Sequence, residues 1–143
     1  MNSHKNILLV GGTGRNTGKT SLVCEVIKKF STDYQIIALK ITNHFHSANS
    51  KSFNLLEEKN PAANKDSSRM LLAGASKVFY IESGPDCLKE AFDTFLEKTV
   101  PGQIIVCESN GLSEIIKPGI YLMVDRNGNF EKKKKTSDPQ IIA

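Results

Sequence analysis

The chain has 143 residues, about one domain's worth, and its 39% hydrophobic and 24% charged content is ordinary for a water-soluble globular protein. That balance argues against a disordered chain, and no apolar run approaches the roughly 18–20 residues of a membrane-spanning helix, so a membrane class is not expected. The formal net charge of +4 rests partly on EKKKK at 131–135, which reads as a solvated strand edge or tail, or as a patch for an anionic partner.

Three cysteines, Cys24, Cys87 and Cys107, are odd in number and lie far apart, which suggests neither a disulfide framework nor a zinc knuckle. The expected compartment is the cytoplasm. No aromatic interleaving or recognised motif accompanies the lysines, so no nucleic-acid partner is expected. The N-terminal apolar run is too short for a secretory signal and reads as a first strand. A single domain over 1–135 is expected, followed by a frayed or partner-binding tail over 136–143.

In chain order, NILLV at 6–10 is the first strand. After a glycine-rich loop, Leu22, Val23, Val26, Ile27 and Phe30 recur at helical spacing on one face. QIIALK at 35–40 is the second strand. The polar stretch 41–65 reads as a long loop with one turn of helix around Phe53 to Glu58, and loops of that length are usually functional or mobile. A short helix starts at Asp66 and stops at Gly74. KVFYIE at 77–82 is a strand, and Cys87, Leu88, Ala91, Phe92, Phe95 and Leu96 form the stripe of a further helix. QIIVCES at 103–109 reads as a strand covered on both faces. A helical turn at 111–117 precedes GIYLMVD (119–125), whose RNGN turn and following FEKKKK predict a C-terminal hairpin. Strands alternating with helices predict a single α/β domain.

The loop itself, GGTGRNTGKTS at 11–21, nearly satisfies the phosphate-binding pattern G-x-x-x-x-G-K-[ST]. The leading glycine of that pattern falls on Thr13, and Gly12 stands one place early, which lengthens the loop by a residue. Gly18, Lys19 and Thr20 are intact. They supply close backbone approach to phosphates, a point charge for the β/γ oxygens and a hydroxyl for Mg²⁺. A strand before and an amphipathic helix after put converging N–H groups at a helix N-terminus. The nucleotide-binding stretch is therefore Gly12, Thr13, Gly14, Arg15, Asn16, Thr17, Gly18, Lys19, Thr20 and Ser21. Its lengthened spacing is similar to the phosphate loop of dethiobiotin synthetases.

A nucleotide site needs a carboxylate near Mg²⁺, and parallel strands deliver such groups at their C-terminal ends. Glu108, ending IIVCE, is the best candidate for that metal role beside Thr20. Lys40, ending the second strand, faces the same side and either binds substrate or phosphate or caps a strand. Asp66 is either a helix N-cap or a site carboxylate. His44 and His46, at i and i+2 in a loop, read as unremarkable surface groups, substrate contacts or a metal pair.

With KDSSRMLLAGASKVFY at 65–80, the chain resembles the small P-loop NTPases typified by molybdopterin-guanine dinucleotide biosynthesis protein B. Lys65, Asp66, Ser67, Arg69, Ala73, Gly74 and Ala75 match that family's Lys-Asp-Ser and Ala-Gly-Ala blocks, and Lys40 with His44 echoes its lysine and histidines after the second strand. The resemblance spans about residues 5–125. It implies a P-loop NTPase fold with a doubly wound, mostly parallel sheet and helices on both faces, Mg²⁺-dependent GTP or ATP binding, weak hydrolysis, a homodimer, and an accessory role beside a partner enzyme of molybdenum-cofactor biosynthesis. It also places Asp66 as a second acidic site residue, catalytic with Lys19 and Glu108. The chain departs from the family where EEKNPAANK keeps only pieces of Asp-Lys-Pro-Gly and where ESNG replaces Glu-Gly. No N-K-x-D guanine signature is present. Two further functions stay open: a small-molecule kinase or ATP-dependent ligase in which 41–65 closes over an acceptor, and a non-catalytic module whose nucleotide stabilises a dimer.

Overall fold

The apolar runs become the centre of one sheet in the computed structural model, which describes residues 1–13, 18–42 and 52–125 together with the strand backbone of 130–134 and 138–141. The strands are β1 (Asn2–Gly12), β2 (Ile36–Thr42), β3 (Phe53–Glu58), β4 (Lys77–Ser83), β5 (Ile104–Glu108), β6 (Ile116–Val124), β7 (Phe130–Lys134) and β8 (Asp138–Ile141). The helices are α1 (Lys19–Phe30), α2 (Asp66–Ala73) and α3 (Leu88–Leu96). Among the described residues the sheet runs in the order β3-β4-β2-β5-β1-β6-β7-β8. The pairs β4-β2, β2-β5, β5-β1 and β1-β6 are parallel, and the outer pairs β3-β4, β6-β7 and β7-β8 are antiparallel. The fold is α/β with a mostly parallel sheet. No helix among the described residues is long and apolar enough to cross a membrane.

Strand side chains alternate between faces, and both faces are covered, which is why the central strands read as unbroken apolar runs. Ile7, Leu9, Ile37, Leu39, Ile105 and Cys107 point to one face and pack under α3. Leu88, Ala91, Phe92 and Phe95 of α3, at i, i+3, i+4 and i+7, are all buried there. The Phe95 ring meets Phe79 edge-on, with centroids 5.5 Å apart, a contact worth about 0.5–1.5 kcal/mol beyond simple burial. On the opposite face Val10, Ala38, Val78 and Val106 pack with Val23 and Ile27 of α1 and Met70 of α2. Fully burying each of the large apolar side chains contributes roughly 1.5–3 kcal/mol.

Several local expectations change. Phe53 to Glu58 form an edge strand where a helical turn is expected, because Phe53 and Leu55 alternate into the core cluster while Asn54 and Leu56 point out. The helical turn expected over 111–117 shrinks to a single 3₁₀ turn, Leu112–Glu114, and β6 begins at Ile116. Phe30, expected on the apolar stripe of α1, is 43% exposed. Asp138–Ile141, in the expected tail, pair with β7. The Asn-Gly turn at 126–129 and the side chains of the lysine run lie outside the described residues.

The register of β1 against β6 jumps between His4 and Leu8. Gly119 of β6 lies at this jump, and a Cβ there would overlap the Lys5 carbonyl. Because that neighbour is backbone and cannot swing aside, Gly119→Ala is expected to lower stability by about 2 kcal/mol. The midpoint of urea unfolding, compared with wild type, checks it.

Candidate functional site

Glycine at 18 is the turning point between loop and helix: its φ of 93° lies in the left-handed region, where a side chain would be strained. Lys19 and Thr20 then open α1 directly above the ends of β1 and β5. The pleat places Lys40 two residues after Ala38, and Glu108 two after Val106, on the sheet face that α1 and α2 cover. Lys40 and Glu108 are also direct partners in the parallel register. The C-terminal rim of the sheet thus collects residues that are far apart in sequence.

Glu108 is the hub. Its side chain is 5% exposed, and one carboxylate oxygen accepts the Thr20 hydroxyl at 2.7 Å while the other accepts the Lys40 ammonium at 2.8 Å. Lys40 also donates to Asp66 at 2.6 Å. Asp66 is the first residue of α2 rather than its N-cap, which is Lys65, and there the helix dipole favours a negative charge. Arg69, one turn on, donates to the Ser21 hydroxyl at 3.2 Å and lies 3.8 Å from Asp66, tying the first turns of α1 and α2 together.

Burial pulls the Lys40 pKa down, but Glu108 and Asp66 outweigh it and hold the ammonium above its ordinary range. Burial likewise works to raise Asp66, yet the bonds from Lys40, with help from Thr20 and Arg69, leave its carboxyl below the usual value. Lys19 is lowered, chiefly by burial, with Lys40 adding repulsion and the two carboxylates opposing. The cluster sets Lys40, paired with the two carboxylates, close to the Lys19 ammonium at the C-terminal rim of the sheet.

Of the expected site residues, Gly12, Gly18, Lys19, Thr20, Ser21, Lys40, Asp66 and Glu108 gather here. The Thr13 amide is committed to β6, donating to the Val124 carbonyl at 3.0 Å. Gly14, Arg15, Asn16 and Thr17, and also His44 and His46, lie outside the described residues.

Two participants escaped the sequence reading. Asn110 accepts both the Lys19 ammonium at 2.9 Å and the Gly12 amide at 3.1 Å. Buried Glu58, closing β3, accepts the Ser67 hydroxyl at 2.7 Å and so anchors the start of α2 beside Asp66. That hydrogen bond is the main reason its carboxyl sits below the ordinary range. The only sequence signal for Asn110 is its place two residues past the end of a central strand. For Glu58 no local signal exists.

Thr20, Glu108 and Asp66 offer hard oxygen donors of the kind Mg²⁺ takes together with phosphate oxygens. Among the described residues no three His, Cys, Asp or Glu form a cage that could hold a metal by themselves. Compared with family models, curated proteins and solved structures, the chain gives no match.

Proposed function

We propose that the chain is a Mg²⁺-dependent nucleotide-binding protein with a P-loop NTPase fold and weak hydrolysis, acting as an accessory factor in the manner of molybdopterin-guanine dinucleotide biosynthesis protein B. The observation that carries this reading is the bond from Thr20 to Glu108, with Lys19 beside it. It joins the first turn after a glycine loop to the end of the adjacent parallel strand, which is where a phosphate-bound cation needs its ligands. Lys19 would take β/γ oxygens, and Thr20 and Glu108, with Asp66 nearby, would hold Mg²⁺. When bound, the ion would spread the charge that develops on the phosphoryl oxygens.

Slow turnover follows from the same geometry. Glu108 and Asp66 are both engaged by Lys40, and an Asp66 held below its usual pKa is a poor proton acceptor for an attacking water. A homodimer contact or a partner enzyme would release those oxygens. Lys40 also supports a second reading, phosphoryl transfer to a small acceptor, because it brings a cation to the rim from outside the loop.

The test is a calorimetric titration with ATP and with GTP, each with and without Mg²⁺, followed by turnover with γ-labelled nucleotide. Binding that requires Mg²⁺, with release of free phosphate at roughly 10⁻³–10⁻² per second, is the expected outcome. Label appearing on a metabolite would favour the second reading. If neither nucleotide binds, both fail.

A further inference from the structure

Gly12 and Lys19 are the two ends of the glycine loop, and a single atom, the Asn110 side-chain oxygen, is bonded to both. Asn110 is well placed to do this because the turn that carries it is tied down on each side. The Ser109 amide donates to the Val10 carbonyl at 3.0 Å, and the Ser109 hydroxyl, in a residue only 2% exposed, accepts the amides of Gly111 and Leu112 at 3.2 and 3.1 Å. The donor at one end is backbone and the donor at the other is the lysine that would meet the phosphates.

We propose that Asn110 is a positioning residue, a clasp across the mouth of the loop that pre-sets the Lys19 ammonium for a nucleoside polyphosphate. The proposal rests on the nucleotide-binding reading above and adds what fixes the Lys19 ammonium against the end of β1 before any ligand arrives. An ammonium already held in place has less rotamer freedom to lose when a phosphate binds. The acceptor is an amide, which solvates the half-buried ammonium without cancelling its charge. A carboxylate at 110 would make the same two bonds but would neutralise the group that must attract phosphate.

Two variants separate the tie from the charge. Asn110→Ala removes both bonds, and the affinity for Mg²⁺-nucleotide is expected to fall about tenfold. Asn110→Asp keeps the acceptor and is expected to lose more, roughly a hundredfold. Amide hydrogen exchange followed by NMR on nucleotide-free protein supplies a readout that does not depend on any ligand. There the Gly12 amide is expected to exchange about tenfold faster in Asn110→Ala and to stay slow in Asn110→Asp, while the core amide of Leu9 is unchanged in both. An unchanged Gly12 rate in Asn110→Ala, or nucleotide affinity equal to or tighter than wild type in that variant, would overturn the proposal. If wild type itself binds neither nucleotide, the enclosing functional reading fails and the Gly12 exchange alone decides whether the clasp exists.

Discussion

Lys19→Ala is expected to cost at least about a hundredfold in Mg²⁺-nucleotide affinity, because it removes a charge-assisted contact to phosphate from a site where burial has already stripped part of the lysine's water. The loss should be far larger for the triphosphate than for the bare nucleoside, since the ammonium has nothing to meet on the latter. Stability should barely move: the ammonium's one described protein bond is to Asn110, at an exposed position. Calorimetric titration alongside a urea unfolding curve separates the two effects. Unchanged affinity would remove Lys19, and the phosphate role of the loop with it.

Lys40→Met is the opposite kind of change, large in stability. Removing one member of a buried pair strands the other charge, at about 3–5 kcal/mol for a fully enclosed pair. Here Glu108 is 5% exposed but Lys40 is 23% and Asp66 43% exposed, so solvent screening reduces the expected loss to about 2–3 kcal/mol. The pH dependence has a definite sign. The Lys40 pKa is raised above 10.5, so its contribution is complete below that value and fades as pH rises through the raised pKa. The Asp66 pKa is lowered beneath 3.8, so its contribution is complete above that value and fades as pH falls through the lowered pKa. The gap between wild type and Lys40→Met should therefore be flat across the neutral range and narrow toward either extreme. Urea midpoints measured at acidic, neutral and alkaline pH check this, and a gap that stays constant throughout would assign the loss to packing instead.

What could be read from the sequence follows the physics of burial. β1, β2, β4 and β5 are covered on both faces, so their residues form dense apolar runs bounded by glycine, proline and polar groups, and α3 carries its stripe at helical spacing. Lys40 and Glu108 were legible for a related reason: a charged residue ending an apolar parallel strand lies at the rim where ligands bind. β3 was not legible. It has one neighbour, so it needs only Phe53 and Leu55 to face inward, and Leu56 points to solvent at 44% exposure. Asp66 showed its place at a helix start but not its partner, because the tie to Lys40 depends on how α2 lies across the sheet. Asn110 stayed hidden for the same cause: its two partners come from a strand and a helix near the other end of the chain, and no local pattern records that adjacency.

The strand order also governs when this protein can assemble. β1 has β5 and β6 as its neighbours, so the strand that feeds the glycine loop finds its partners only about a hundred residues later. During synthesis at the ribosome, the antiparallel β3-β4 pair can close early, whereas β1 waits, apolar and unpaired, until residues near 104–124 have emerged. The centre of the sheet is thus completed after its β3-β4 edge and ahead only of β7 and β8, and a nascent chain stalled before that point would expose the unpaired apolar run of β1.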